Sequence, residues 1–399
     1  MGTPDSTADV LVIGGGMAGA AAAFVAGRSG METVLVDPRT VFPACFKAEK
    51  LEPAQARLLR RIELFDTVRP VLTPIRHVLC ARDAKLFGVE ETEQYGVLYH
   101  DLVNRVRERM PASVRFCRDL VTGVDSDAAG SLVRLKSGAT IRARLVVLAT
   151  GVTERLGKQL GVERIWINRH HATAFAYDLA TLDGEPFGFD ALTYYPRDRL
   201  GGIACLSLFP IGEAMRANLF VYRGARDPWV KEFLADPAAV LEHDLAGLDR
   251  VTGGHRIASR IECAAIRLYQ VEPPARDGLV LIGDAMQSAC PATGTGLSKV
   301  LNDVDVLCNV CLPRWFETPG MRHDEILGFY RHPRKLGVDG ETLDAAVYGR
   351  NVGTRAGVSW SLRAGLAYWR RRLGQRATLR EYLRTRDAVG PTRRREPVG

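Results

Sequence analysis

The sequence predicts an α/β fold: a doubly wound domain around a parallel sheet, interrupted by a mostly antiparallel β-sheet domain and followed by a helical C-terminus. Three observations carry this. An apolar run at residues 10–13 ends in glycines, opens a small-residue helical segment at 17–29, and returns as a second apolar run at 33–36, which is a βαβ unit. Buried-strand patterns that also end in glycine recur at 145–151 and 278–283. Between 165 and 267 the texture changes to strand-like runs separated by turns, at 172–177, 192–195, 203–209 and 217–222. The chain therefore leaves its first domain and comes back to it: 1–164 with 268–312 form that domain, 165–267 the inserted sheet, and 313–399 a helical, arginine-rich C-terminal segment.

Within the first domain, the spacing of Leu58, Leu59 and Ile62 predicts a helix over 52–64, and a second amphipathic helix is expected at 101–110. Short strands are expected at 114–116, 120–124, 132–135 and 140–143, a buried strand at 145–148, and a helix from 296 to about 310.

Composition narrows the function classes. With 399 residues, 46% apolar and 25% charged, the chain is long enough for two substructures and too apolar for large-scale disorder. Its formal charge of +8 hints at nucleic acid until it is located along the chain. Residues 363–399 hold eleven arginines against Glu381, Asp387 and Glu396, leaving 43 basic and 43 acidic residues before them. A neutral body with a basic tail excludes a nucleic-acid-binding body. The tail reads as a solvated helix with a frayed end; Trp360, Leu362, Leu366, Trp369 and Leu373 interleave with the arginines and offer a peripheral membrane or partner contact as the second reading. The eight cysteines have no framework spacing, and Cys308 with Cys311 lacks the second pair a zinc site needs, so no metal site is expected and a reduced, cytoplasmic setting fits. No signal-peptide pattern opens the chain, and no run reaches the roughly 18 apolar residues of a membrane span.

Two motifs carry chemistry. Gly14-x-Gly16-x-x-Gly19 lies directly after an apolar strand and opens a helix, with Met17 and Ala18 in its first turn. Glycines there permit a tight turn, close backbone approach to a pyrophosphate and close helix–strand packing, while helix N-terminal N–H groups face the phosphates. Asp37 ends the next strand, where a carboxylate accepts ribose hydroxyls. The second motif, Gly283-Asp284 through Pro291, Gly294, Gly296 and Leu297, again joins a buried strand to a glycine-opened helix.

At these residues the chain resembles the para-hydroxybenzoate hydroxylase-like superfamily of FAD enzymes, which includes single-component monooxygenases, flavin halogenases and geranylgeranyl reductases. The resemblance implies a Rossmann-like FAD-binding domain with an inserted substrate sheet. It implies that Asp284 binds the ribityl and ribose hydroxyls, that Pro291 packs beside the ring, and that Gly294, Gly296 and Leu297 begin a helix near the flavin N1 and C2 carbonyl. Lys47 stands where relatives often place an arginine by flavin and pyrophosphate.

The resemblance further implies an FAD-dependent monooxygenase that hydroxylates or epoxidises an electron-rich aromatic or polyketide-like small molecule with NADH or NADPH and O2, through a flavin C4a-hydroperoxide. The sequence departs from the pattern at Thr150, where many relatives carry an acidic residue before glycine, at Gln287 in place of histidine, and at Tyr99 in place of arginine. No second strand-linked glycine fingerprint supplies a nicotinamide domain, so the hydride donor is expected to bind transiently. A reductase or dehydrogenase of a lipid-like or prenyl substrate is the alternative. A halogenase fits less well, because Trp166-Ile167-Asn168 does not supply the halogenase signature; a flavin-binding scaffold is the non-enzymatic reading. On the inserted sheet, His171, Tyr195 and Arg197 are the candidate catalytic groups, histidine having a pKa suited to deprotonating a phenol. A monomer or homodimer is expected.

Overall fold

The computed structural model describes residues 5–273 and 276–389. The described residues divide into two compact units, the first of residues 5–72, 97–169, 267–273 and 276–346, the second of residues 73–96, 170–266 and 347–389.

The first unit is built on a sheet ordered Val114–Cys117, Thr33–Val36, Ser6–Ile13, Thr140–Leu148, Gly130–Leu135, Val121–Asp127, with Leu279–Leu281 also on Thr140–Leu148. Pairing is parallel from Val114–Cys117 through Thr140–Leu148 and onto Leu279–Leu281. The two runs expected at 140–143 and 145–148 are one strand: its first half pairs antiparallel with Gly130–Leu135 and its second half parallel with Leu279–Leu281. Val10, Leu11, Val12, Leu35 and Val146 are at most 2% exposed, as strands covered on both faces must be. Helix Met17–Arg28 is buried along nearly its whole length, which its run of alanines allows. Later helices include Pro53–Arg61, Tyr99–Glu108, Gly296–Val304, which continues as a π-helical segment, Asp305–Cys311, and the start of Pro333–Thr354.

The second unit holds a sheet ordered His255–Ile257, Arg164–Thr181, Ala214–Val221, Ile203–Ile211, Ala191–Tyr194, Thr73–Arg82, Lys85–Gly96. Residues 73–96, expected in the first domain, cluster here. They form a long antiparallel hairpin, and Thr73–Arg82 pairs in parallel with Ala191–Tyr194. Residues 347–389 also cluster with this unit, whereas 313–346, expected in the C-terminal segment, cluster with the first. The inserted region is not all sheet: Pro228–Ala235 and Pro237–Asp244 are helices, each started by an aspartate cap (Asp227, Asp236) followed by proline. Phe233, Val240 and Leu241 from these helices join Phe175, Tyr177, Leu208 and Leu219 in the core of the unit. The arginine-rich tail forms helices Val358–Gly374 and Arg376–Val389; its expected frayed end, 390–399, lies outside the described residues.

Candidate functional site

The first unit brings the two glycine motifs together. Gly14 turns with φ +100° and its N–H donates to Val36 O at 2.9 Å. A Cβ on Gly19 would stand 1.8 Å from Gly14 O, so only glycine lets the helix close on the strand. At Gly16 the nearest atoms to such a Cβ, on Phe42 and Tyr99, are 3.8 Å away, which leaves room for a ligand to approach the backbone. Gly16, at the cap position, has no side chain to offer the helix start, and the Met17 N–H donates to Tyr99 Oη at 3.2 Å. Gly283 opens the second turn, and a Cβ there would lie 3.0 Å from Ala18 Cβ. The two turns, whose touching residues Ala18 and Gly283 are 265 positions apart in the sequence, therefore meet.

Asp37 is fixed at the strand end. Its Oδ2 accepts from the Gly15 N–H at 2.8 Å and its Oδ1 from the Arg39 N–H at 2.9 Å. Arg107 locks this corner: Nε donates to Gly15 O at 2.8 Å, Nη1 to Arg39 O at 2.7 Å, and Nη2 stands 3.2 Å from Asp37 Oδ2. Burial works against the guanidinium's charge and the Asp37 carboxylate supports it. Lys47 Nζ is 3.1 Å from Asp284 Oδ2, and that carboxylate holds the ammonium's pKa well above its ordinary value. Asp284 is held from its other side as well, where Tyr269 Oη donates to its backbone oxygen at 2.7 Å.

Beneath Gly283 lies a buried charge cluster. Its N–H donates to Asp303 Oδ2 at 2.8 Å, and Lys299 Nζ donates to Gly283 O at 3.2 Å. Lys299 and Lys335 pair with Asp303 at 3.2 and 2.7 Å, and Lys335 with Asp339 at 2.9 Å. Although burial alone would raise it, the two lysines hold the Asp303 carboxyl below its usual range. At the far end of the second motif, Gln55 Nε2 donates to Gly294 O at 2.6 Å and to Ser298 Oγ at 3.2 Å. Pro291 starts the short helical turn Pro291–Thr293, and Leu297 is buried in the first turn of Gly296–Val304, whose N-terminus has no side-chain cap. Two glycine-opened helix starts, the Asp37 carboxylate and the Asp284–Lys47 pair fit an extended, doubly phosphorylated, hydroxyl-rich nucleotide such as FAD.

Sequence reading missed Arg107, Gln55 and the buried quartet. The Lys299–Asp303 and Lys335–Asp339 spacings of four were a legible signal; their burial was not.

A cavity of about 510 Å³ adjoins this site, with Thr150 and Ala285 in its wall. Four cations, Lys158, Arg164, Arg169 and Arg267, line it with Trp166, Glu154 and Glu163. Glu154 is paired with Lys158 at 2.7 Å and Arg164 at 2.9 Å, and Arg267 also acts on it, so the four cations against the two carboxylates leave a positive lining that favours an anion. Arg169 Cζ sits 4.2 Å from the centroid of Trp166, which makes a T-shaped contact with Tyr269.

The candidate catalytic groups fall in the second unit and are not neighbours. His171 lies on Arg164–Thr181, and Tyr195 and Arg197 follow Ala191–Tyr194, with two strands in between. His171 is 1% exposed; burial, with Arg350 close by, pushes its pKa down to about 4, so the ring is neutral at pH 7. Tyr195 packs beside Phe87 with ring centroids 6.0 Å apart. The Arg197 side chain is exposed, 4.0 Å from Asp83.

The sequence pattern of a family described as FAD binding domain matches residues 7–311. Ubiquinone hydroxylase UbiL of Rhodospirillum rubrum is 26% identical over 335 residues, covering 77% of this chain and 72% of that protein. Digeranylgeranylglycerophospholipid reductase of Thermoplasma volcanium is 23% identical over 325 residues, covering 74% and 75%. Among solved structures, p-nitrophenol 4-monooxygenase PnpA from Pseudomonas putida DLL-E4 superposes with a TM-score of 0.73 at 16% identity, covering 98% of this chain and 100% of that one. Klebsiella pneumoniae HpxO, complexed with FAD and uric acid, gives 0.66 at 18% identity, covering 91% and 92%.

Proposed function

The chain belongs to the FAD binding domain family, and from that premise we propose that it is a monooxygenase that hydroxylates or epoxidises an electron-rich aromatic or polyketide-like small molecule with NADH or NADPH and O2. The observation that carries this reading is the contact between the Ala18 and Gly283 turns, which makes one nucleotide site out of both motifs. No second strand-linked glycine fingerprint is left in the sequence for a nicotinamide coenzyme, so hydride comes from a donor that docks and leaves.

Bound FAD supplies hydride acceptance and reaction with O2. The chain's residues do the holding. Asp37 would accept the ribose hydroxyls, the glycine-opened start of helix Met17–Arg28 would take the pyrophosphate, and Asp284, paired with Lys47, would accept from the sugar-chain hydroxyls. The start of Gly296–Val304 stabilises negative charge at the ring end. Pro291 and Leu297 exclude water there. Arg169 and Arg267 of the adjoining cavity dock the donor's phosphates, and Trp166 offers an aromatic face.

A second reading, reduction of a prenyl lipid, is favoured by Thr150 standing where an acidic residue is frequent, and by the 23% identity to a digeranylgeranylglycerophospholipid reductase. One experiment separates the two. Turnover of candidate phenols and prenylated quinols under 18O2 should give products heavier by one labelled oxygen; a product gaining only hydrogens would replace the first reading with the second. Replacing Arg267 by alanine should raise KM for the nicotinamide coenzyme by about tenfold with the KM for the organic substrate unchanged. Equal effects on both would remove the cavity from the donor's path.

A further inference from the structure

Helix Val358–Gly374 is held by one side only. Tyr368 packs against Phe87 with ring centroids 5.0 Å apart, and Arg82 Cζ lies 4.6 Å from the Tyr368 centroid. Arg199 ties down the approach to the helix, donating to Val352 O at 2.6 Å, Arg355 O at 2.8 Å and Ser361 Oγ at 2.9 Å. Gln375, just past the helix, lies over Gly88. The other side carries Val358, Leu362, Leu366, Trp369 and Leu373, exposed by 77, 62, 59, 53 and 62%. Their spacings of four, four, three and four put all five on one stripe. A contiguous apolar stripe of this kind on a folded surface marks a contact site.

The charges around it select the occupant. From Ala345 to Arg380 there are eight arginines and not one acidic residue. Arg372 Cζ stands 5.2 Å from the ring of Trp369, which is itself on the stripe, so a cation and an aromatic ring meet at its edge. A second copy of the chain docked on this face would bring arginine against arginine. An anionic lipid surface answers both features, with hydrocarbon to receive the leucines and headgroup charge at the level where arginines and tryptophan settle. No helix among the described residues is long and apolar enough to cross a membrane, so the contact is with the surface.

We propose that Val358–Gly374 is an interfacial helix that docks the protein on negatively charged membrane, its leucine and tryptophan stripe in the lipid and its arginines on the headgroups. The proposal is independent of the reaction the flavin site performs.

Co-sedimentation of the full-length holoprotein with vesicles tests it. Vesicles of three parts phosphatidylcholine to one part phosphatidylglycerol should carry the protein down, pure phosphatidylcholine vesicles should bind it far less, and added salt should weaken binding to the anionic ones. Leu362→Glu with Leu366→Glu should weaken vesicle binding on the order of tenfold or more while flavin absorbance and circular dichroism stay unchanged. Emission from Trp369 should shift to the blue on anionic vesicles, a shift that Trp369→Phe removes. Protein that stays in solution with anionic vesicles at low salt overturns the proposal, as does a double variant that binds like the parent. Light scattering that shows the double variant splitting a dimer overturns it too, because the stripe would then be covered by a second copy.

Discussion

Two buried sites, one in each unit, hold titratable groups in opposite ways. Under the Gly283 turn of the first, Lys299, Asp303 and Lys335 are all at most 1% exposed, and each is paired with an opposite charge. In the second, His171 Nε2 and Tyr177 Oη are buried with no hydrogen-bond partner among the described residues. The first arrangement keeps its charges because each ion has a counter-ion and further hydrogen bonds; the second must keep its groups neutral, since burial alone pushes the histidine pKa down and the tyrosine pKa up. The difference teaches where rigidity is needed. The quartet holds the backbone of the Gly283 turn, while Tyr177 lies in the core of the second unit and His171 is buried beside Tyr222.

The contrast can be broken at four places. The largest effect is expected at the turns themselves: Gly19→Ala drives a methyl to within 1.8 Å of Gly14 O, and the purified variant should carry no flavin absorbance at 450 nm on the order of that of the parent. Retained yellow colour at full stoichiometry would show that the helix does not close on the strand as described. Next, Asp303→Asn leaves Lys299 and Lys335 short of a counter-ion and should cost about 3–5 kcal/mol in urea unfolding; a loss below about 1 kcal/mol would mean the cluster is hydrated.

The third test uses pH. His171 titrates near 4 when folded and near 6.5 when unfolded, so folding favours its neutral form. The stability this gives is complete above pH 6.5 and is lost as the pH falls to about 4, amounting to roughly 3 kcal/mol. His171→Gln should flatten the pH dependence of unfolding in that window. Asp303, whose pKa is lowered from 3.8, should add its own loss only below that value, which separates the two units in a single titration. The smallest effect is expected at Arg107→Lys. A lysine cannot donate to Gly15 O and Arg39 O in a fork, so FAD dissociation constants should rise about tenfold with the melting of the apoprotein little changed.

The comparison also explains what could be read in advance. Gly14, Gly16, Gly19 and Asp37 were legible because a backbone turn of one shape demands glycine at fixed intervals, and Gly283-Asp284 because it repeats that logic. Arg107 was hidden, since it sits on an ordinary amphipathic helix and nothing local distinguishes it from Arg105 or Arg109. The hairpin Thr73–Gly96 was missed because its strands mix buried and exposed residues irregularly, with register shifts near Ile75 and Cys80. The helices after Asp227 and Asp236 carried a readable aspartate–proline start that the surrounding strand pattern overshadowed.

By itself, then, the sequence determined the nucleotide-binding chemistry, because glycine spacing, strand hydrophobicity and terminal carboxylates are local demands written within a few residues of one another. It also determined the leucine and tryptophan stripe of the tail, through a helical period that needs no partner to be seen. Only the tertiary structure decided that Ala18 meets Gly283, that two lysines and an aspartate share one buried cluster, that His171 and Tyr195 stand strands apart, and that the stripe is left exposed. Contacts between distant segments depend on how whole elements pack, and no short-range pattern encodes that.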